Sequence, residues 1–145
     1  MKYRSLFSLA AFAALFIALP QTASATPDVG KPAPSFTGTD SRGKAISLDG
    51  YKGKTVVLEW TNHDCPYVRK HYSADNMQTL QREAAKDGIV WLQVISSAPG
   101  LEGHVAGPEA EALNRKRKAA PPGTVLDPDG KIGRLYAARH TPTMV

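Results

Sequence analysis

The sequence predicts an α/β fold in which helices pack against a parallel or mixed β-sheet. Residues 55–60 form a near-continuous apolar run, as in a central strand that is covered on both faces. Residues 89–96 form a second apolar run that is rich in β-branched side chains. Helical patterns follow these two runs, over residues 66–87 and 109–118. This alternation of strands and helices is typical of a sheet with helices packed on it.

The first 25 residues have the features of a secretory signal peptide. A basic start with Lys2 and Arg4 precedes an apolar run over residues 6–19, and residues 23–25 give the small-x-small pattern of a cleavage site. The run is shorter than the roughly 20 residues of a membrane-spanning helix, so a cleaved signal fits better than an uncleaved anchor. We expect export across the inner membrane to the periplasm. The mature chain, residues 26–145, would then be one domain with no stable membrane span.

The remaining elements are predicted from turn residues and prolines. Residues 26–34 contain three prolines and predict an extended lead-in, and short strands are predicted over residues 35–39 and 45–48. Ser73 is expected to cap a second helical segment, which Gly88 ends. The other predictions are a glycine- and proline-rich loop over residues 98–108, a strand over residues 124–126, a turn over residues 127–130 and a helix carrying Ile132, Leu135 and Tyr136.

The charge of the chain does not indicate a nucleic-acid partner. Loss of Lys2 and Arg4 with the signal lowers the formal net charge from +5 to +3, which is too small for that class of protein. The one dense basic run, residues 115–118, is interpreted as a solvated helix end in preference to a polyanion site.

Cys65 is the only cysteine, and it stands where a predicted strand turns into a helix. Unpaired N–H groups and the helix dipole favour the thiolate at such a position, and Pro66 suits the first helical residue. His63 could tune the thiol as a base or a cationic neighbour. The alternative is a buried, inert cysteine, because free cysteine is among the most buried residues. An oxidising compartment converts exposed unpaired thiols, so such a cysteine is either buried and inert or used, and we favour a reactive thiol because Cys65 stands at a helix start.

The order of these motifs resembles the thioredoxin fold. The features are a strand ending in Glu59-Trp60, a helix start at Cys65-Pro66-Tyr67-Val68, and a distant Thr141-Pro142-Thr143. The lead-in over residues 29–36 is similar to the G-x-x-A-P-x-F opening of exported redoxins related to alkyl hydroperoxide reductase and thiol-specific antioxidant proteins. The resemblance implies a thioredoxin-like fold with a central mixed β-sheet flanked by helices. The chain ends at Val145, so we expect the family's C-terminal hairpin and helix to be missing.

The resemblance also implies the residues of a site. In such proteins the proline matching Pro142 is cis and lies beside the active thiol, and the backbone of the residue matching Thr141 pairs with a bound substrate. We therefore expect Cys65 to be catalytic and Thr141, Pro142, Pro66 and Tyr67 to contact substrate.

Two departures from related motifs limit the chemistry. Val68 stands where thioredoxins carry a second, resolving cysteine, so the chain cannot complete dithiol exchange alone. The peroxiredoxin pattern, Pro-x-x-x-Thr/Ser-x-x-Cys, is also absent. Asn62 occupies the position three residues before Cys65, where the pattern has Thr or Ser, and Thr61 lies one residue too early. Peroxide reduction remains open because a low-pKa thiolate can attack peroxide.

The sequence thus predicts an exported thiol oxidoreductase or antioxidant with one nucleophilic cysteine and neither a metal nor a cofactor. An external thiol, either glutathione or a dithiol protein, would resolve the intermediate, and the substrate would be an oxidised protein or a peroxide. The first cysteine of glutaredoxins, which have a similar Cys-Pro-Tyr start, offers a mechanistic analogy. The alternative is a non-catalytic thioredoxin-fold binding module that lost the resolving cysteine.

Overall fold

A computed structural model of the chain shows one six-stranded sheet with helices packed against it, and the structure describes residues 27–145. The predicted signal peptide, residues 1–25, lies outside the described residues. The elements in chain order are β1 (Thr37–Asp40), β2 (Ala45–Ser47), a short 3-10 helix (Leu48–Tyr51), β3 (Val56–Trp60), α1 (Pro66–Ser73), α2 (Asn76–Lys86), β4 (Val90–Ile95), α3 (Gly107–Lys116), β5 (Gly123–Leu126), α4 (Lys131–Leu135) and β6 (Thr143–Met144).

The strand order of the sheet is β2-β1-β5-β4-β3-β6. The three central strands β5, β4 and β3 are parallel, whereas β1 and β6 pair antiparallel with their neighbours. This arrangement confirms the predicted mixed sheet and the thioredoxin-like fold. None of the helices within residues 27–145 is long and apolar enough to cross a membrane.

Alternation along β3 divides the core into two layers. Leu58 and Trp60 belong to one buried cluster, which also contains Tyr136. The neighbouring side chain, Glu59, is fully buried and contacts polar side chains of the layer that contains Tyr72. Both faces of β3 are therefore covered, as its apolar sequence predicts.

Three predicted element boundaries are wrong, and local hydrogen bonding or backbone geometry explains each of them. Ser73 does not cap α2, because it is the last residue of α1 and its hydroxyl donates to the carbonyl oxygen of Lys70 at 3.0 Å. The loop predicted over residues 98–108 ends earlier, because α3 begins at Gly107 with Pro108 in its first turn. The helix also ends two residues early, since Lys118 has a φ of 54° and leaves the helical path.

The register of β6 positions the end of the described chain. Thr143 lies opposite Trp60, the last residue of β3, and Val145 exchanges two backbone hydrogen bonds with Leu58 at 2.8 and 3.1 Å. Because β6 runs antiparallel to β3, residues 141 and 142 lie beyond the carboxyl end of β3. The loop that leads to α1 starts at the same edge of the sheet.

Candidate thiol site

The loop between β3 and α1 is held by Asn62. Its side-chain oxygen accepts the backbone N–H of Asp64 at 2.8 Å, and its carbonyl oxygen accepts the N–H of Cys65 at 3.1 Å. Gly103 packs against the Asn62 side chain with a φ of 78°, and its N–H donates to an oxygen of Asp64 at 3.2 Å. A Cβ atom at Gly103 would clash with Asn62, so the close approach of the two loops requires glycine there.

Cys65 immediately precedes α1, with Pro66 in the first turn of the helix. Its side chain is half-buried, and the Sγ atom lies 3.1 Å from the carbonyl oxygen of Thr141, to which the thiol donates. The backbone of Tyr67 and of Val68, in the first turn of α1, lowers the pKa of this thiol. The sulfur therefore lies between the start of α1 and the Thr141 backbone.

The pKa of Cys65 lies below that of an ordinary thiol. Burial of the sulfur raises the pKa, but hydrogen bonds from the Thr141 side chain and from the backbone of Val68 and Tyr67 outweigh that effect. The negative charge of Glu102 acts in the opposite direction and raises it. The net direction is the one that the helix-start position predicts, because N–H donors stabilise the thiolate.

His63 and Asp64 form an ion-pair contact next to the cysteine, with Nε2 and Oδ2 separated by 3.4 Å. Both side chains are partly exposed. Sequence reasoning singled out His63 but missed Glu102, the acidic side chain that does act on Cys65. Glu102 belongs to a loop 37 residues downstream, and Asn62 Nδ2 donates to it at 3.4 Å. The sequence carries no signal that brings this loop to the cysteine.

The residues after Cys65 divide between solvent and core. Pro66 is exposed, and Tyr67 is 69% exposed beside the sulfur. Val68 is 1% exposed and packs in the core layer that contains Tyr72. The position that would hold a second cysteine in a dithiol motif is therefore buried, although its backbone lowers the pKa of Cys65.

Thr141 lies against the thiol through its carbonyl oxygen, Thr141 and Pro142 are both half-buried, and the peptide bond between them is cis. The antiparallel register of β6 brings these residues to the cysteine loop. The structure thus brings Cys65, Pro66, Tyr67, Thr141 and Pro142 together at one edge of the sheet.

A buried polar network lies beneath this site, and sequence reasoning did not find it. Glu59 accepts hydrogen bonds from Tyr72 Oη at 2.7 Å, Trp91 Nε1 at 2.7 Å and Gln81 Nε2 at 3.2 Å. Gln93 Nε2 in turn donates to Tyr72 Oη at 2.6 Å. Burial, and next the charge of Glu59, raise the pKa of Tyr72 well above its ordinary value, so the phenol keeps its proton. In the sequence, the sign of this network was Glu59, an acidic residue within an apolar strand.

A cleft of about 840 Å³ opens beside the cysteine loop, and we name it the basic cleft. It lies between α1, the start of α2 and the end of α3, and its lining side chains include His63, Arg69, Tyr72, Gln78, Lys116 and Lys118. The basic run at residues 115–118 therefore contributes to a concave surface, which the interpretation as a solvated helix end did not anticipate. Within residues 27–145 no cluster of His, Cys, Asp or Glu side chains could hold a metal ion.

Comparison with protein families gives a match that covers most of the chain. The model of the AhpC/TSA family matches residues 29–145. No curated protein matches the chain.

Comparison with solved structures shows the thioredoxin-like fold. An uncharacterized conserved protein from Geobacillus kaustophilus has a TM-score of 0.70 and 18% identity, with 79% of this chain and 60% of that chain covered. This chain therefore spans about 60% of the length of that protein. The thioredoxin domain of a thiol-disulfide oxidoreductase from Bacteroides vulgatus has a TM-score of 0.61 and 22% identity over 83% of this chain and 81% of that one. An exposed lipoprotein thioredoxin from Streptococcus pneumoniae has a TM-score of 0.55 and 27% identity over 77% and 78%.

Proposed function

We propose that this chain, which belongs to the AhpC/TSA family, is a thiol oxidoreductase that acts through the single sulfur of Cys65. The environment of that sulfur carries the proposal. It is half-buried at a helix start, and the backbone of Val68 and Tyr67 in the first turn helps to hold its pKa below that of a free thiol. A larger thiolate fraction at neutral pH makes the sulfur a better nucleophile than an ordinary cysteine.

The proposed reaction is thiol–disulfide exchange with an oxidised protein. The thiolate of Cys65 attacks one sulfur of the substrate disulfide and forms a mixed disulfide. The other substrate sulfur leaves as a thiolate with the electron pair of the broken bond. Pro66, Tyr67, Pro142 and the backbone of Thr141 surround the attacking sulfur, and we assign to them the contacts with substrate.

An external thiol completes the cycle, because Val68 replaces the internal resolving cysteine. A thiolate of glutathione or of a dithiol protein attacks the substrate–Cys65 disulfide and releases the Cys65 thiolate. A second equivalent of thiol reduces the new mixed disulfide of the released partner. His63 remains a candidate for tuning the thiol, through its contact with Asp64 rather than through direct contact with the sulfur.

An antioxidant reaction with peroxide is a second use of the same thiolate. Attack on a peroxide oxygen gives a Cys65 sulfenic acid and releases the other oxygen as water or an alcohol, and external thiol then reduces the sulfenic acid. The buried hydroxyl of Thr61 makes no hydrogen bond to the sulfur and so is not positioned to orient peroxide. We therefore expect exchange with disulfides to be the faster reaction.

We further propose that residues 1–25 are a cleaved signal peptide and that the protein works in the periplasm. The basic start, the apolar run and the small-x-small pattern of the sequence support this location. One similar structure, the thioredoxin from Streptococcus pneumoniae, is described as an exposed lipoprotein.

The test is reduction of 2-hydroxyethyl disulfide or insulin with glutathione as the external thiol, with Cys65→Ser as the control. We expect turnover by the natural protein and none by the variant. Equal rates would contradict the proposal. They would favour the alternative of a thioredoxin-fold binding module, in which Val68 has replaced the resolving cysteine and dithiol chemistry has been lost.

A further inference from the structure

The basic cleft starts at the reactive loop. Its lining includes His63, Asp64, Val68 and Arg69, which flank Cys65 along the chain. Cys65 packs against the buried cluster that contains Val68 and Tyr72, and both of these residues line the cleft. A molecule with a sulfur at Cys65 therefore has this cleft within reach for the rest of its atoms. The volume, about 840 Å³, lies in the range of sites for small ligands, roughly 300–1,000 Å³.

The cleft is lined by five Arg and Lys side chains and by two carboxylates, Asp64 and Asp75, so its lining carries an excess of positive charge. Arg82 is paired with Asp75 at 2.7 Å, and Arg117 is held by Asn114 and stacks over a tyrosine ring. Arg69, Lys116 and Lys118 make no ion pair with any residue in 27–145. These three free cations face an open cleft, where carboxylate groups of a ligand could meet them.

Gln78 lines the same cleft and has a side-chain oxygen without a hydrogen-bond partner in the described residues. This side chain is 3% exposed, and its Nε2 donates to the carbonyl oxygens of Tyr72 at 2.8 Å and Arg117 at 2.6 Å. Those two acceptors fix the orientation of the amide. Its other atom, Oε1, is buried without a hydrogen-bond partner in the described residues. A buried acceptor of this kind is costly unless a donor reaches it, and a ligand with an N–H group would supply one.

We propose that the basic cleft binds the anionic peptide portion of a small disulfide whose sulfur reacts with Cys65. Carboxylates of the ligand meet Arg69, Lys116 and Lys118, and an amide or ammonium N–H donates to Gln78. The inference deepens the proposed function and rests on it. The Cys65 thiolate forms a bond to one ligand sulfur, the ligand S–S bond breaks, and the second half leaves as a thiolate with the electron pair.

The test compares three disulfides that differ in charge. Glutathione disulfide carries carboxylates and peptide N–H groups, 2-hydroxyethyl disulfide is neutral, and cystamine is cationic. The rate constant for forming the mixed disulfide with Cys65 is measured by mass spectrometry for each, relative to its rate with a free cysteine peptide. Dividing the rate with Cys65 by the rate with the free peptide corrects for the intrinsic reactivity of each disulfide. We expect the normalised rate to be highest for glutathione disulfide and lowest for cystamine.

Matched variants locate the effect in the cleft. Arg69→Gln and Lys116→Gln each remove a lining cation, whereas Lys70→Gln and Arg115→Gln remove an adjacent exposed cation outside it. Each lining variant should lower the preference for glutathione disulfide over 2-hydroxyethyl disulfide by roughly 1.5- to 5-fold, the range for one exposed ion pair. The two control variants should leave that preference unchanged.

The reaction with 2-hydroxyethyl disulfide separates the two possible failures. Reaction of Cys65 with this neutral probe, but with no preference for the anionic one, would overturn the cleft assignment and leave the proposed function intact. An equal loss of preference in all four variants would also overturn it, because the effect would then be one of general charge. Failure of Cys65 to react with any of the disulfides would overturn both.

Binding without chemistry gives an independent measurement. S-methylglutathione has the carboxylates and N–H groups but no reactive sulfur. Titration into the natural protein should shift the NMR signals of the Gln78 side-chain amide and of the Arg69 and Lys116 backbone. Shifts confined to other parts of the protein, or no shifts, would contradict the proposed site.

Discussion

The Cys65 sulfur lies 3.1 Å from the backbone carbonyl oxygen of Thr141, although 76 positions separate the two residues along the chain. Pairing of β6 with β3 creates this contact, because Thr143 lies opposite Trp60 and the cysteine loop begins directly after Trp60. Under the proposed function, a substrate bonded to the sulfur would lie next to the Thr141 backbone. The thiol and the backbone that borders it form one site.

The first prediction concerns ionisation of the thiol. Alkylation of Cys65 by iodoacetamide, followed across pH, should show a midpoint below about 8.5, the value of an unperturbed cysteine. The reason is the set of hydrogen bonds from Thr141, Val68 and Tyr67, which outweighs the effect of burial. The same protein unfolded in urea is the control and should show the ordinary midpoint. A midpoint at or above that of the unfolded chain would contradict the assignment of Cys65 as the nucleophile.

The same shift predicts how stability depends on pH. The pKa of Cys65 is lowered on folding, so its contribution to stability is fully present above the unfolded pKa and is lost as the pH falls through the folded pKa. Compared with Cys65→Ser, the natural protein should gain free energy of unfolding as the pH rises through that window toward about 8.5. Urea titrations of both proteins at several pH values measure this difference. A flat difference would mean that folding leaves the thiol pKa unchanged.

The second prediction concerns the missing thiol. Val68→Cys should form a disulfide with Cys65 and then reduce insulin in the presence of dithiothreitol, because residue 68 is one helical turn from Cys65 and Cys65 packs against the cluster that contains Val68. Val68→Ser is the control and should show no such activity. The natural protein should reduce little insulin unless glutathione or another thiol is supplied. A folded variant that cannot form the disulfide would contradict the alignment of Val68 with a resolving cysteine.

The third prediction concerns the buried network. Glu59→Gln should lower the free energy of unfolding by about 1–3 kcal/mol, because an amide N–H would replace an acceptor that faces donors from Tyr72, Gln81 and Trp91. Glu83→Gln removes an exposed carboxylate from α2 and should have little effect. Urea-induced unfolding of the two variants checks the difference. Equal stabilities would show that the network contributes nothing measurable.

The fourth prediction concerns the contact between the two loops. Gly103→Ala should lower stability and alter the alkylation rate of Cys65, because the new Cβ would clash with Asn62, which holds the cysteine loop. Gly100→Ala is a matched control, since Gly100 has a similar φ of 81° but open space around it. Both variants incur the cost of a side chain at positive φ, about 1–2 kcal/mol. Only Gly103→Ala should change the reactivity of Cys65, and an equal effect of both would contradict the contact.

Sequence reasoning found the parts of this fold that local patterns determine. Apolar runs identified β3 and β4, and the helix start at Pro66 followed from the missing N–H of proline and the change of periodicity after Trp60. The error at Ser73 has a local cause, because a serine hydroxyl can bond backward to a helix carbonyl as readily as it caps the next helix.

The remaining parts depend on contacts between distant segments. Glu59 was assigned only as a strand residue, because its partners Tyr72 and Trp91 come from two other elements. The basic cleft joins the beginning of α1 to the end of α3, and only the three-dimensional packing of these helices makes Lys116 and Arg69 neighbours of one cavity. Charge runs alone therefore could not distinguish a concave site from a solvated helix end.

The pairing of β6, an edge strand, with β3 also influences the pKa of the Cys65 thiol, which lies outside the sheet. A slip of β6 by one residue would move Thr141 by about 3.4 Å along β3 and turn each β6 side chain to the opposite face. Such a shift would carry Thr141, whose side chain lowers the pKa of Cys65, out of hydrogen-bond range of the sulfur. The reactivity of Cys65 therefore depends on the alignment of β6 with β3. A reagent that reacts with the thiolate would detect a mispaired β6 in a protein that otherwise remains folded.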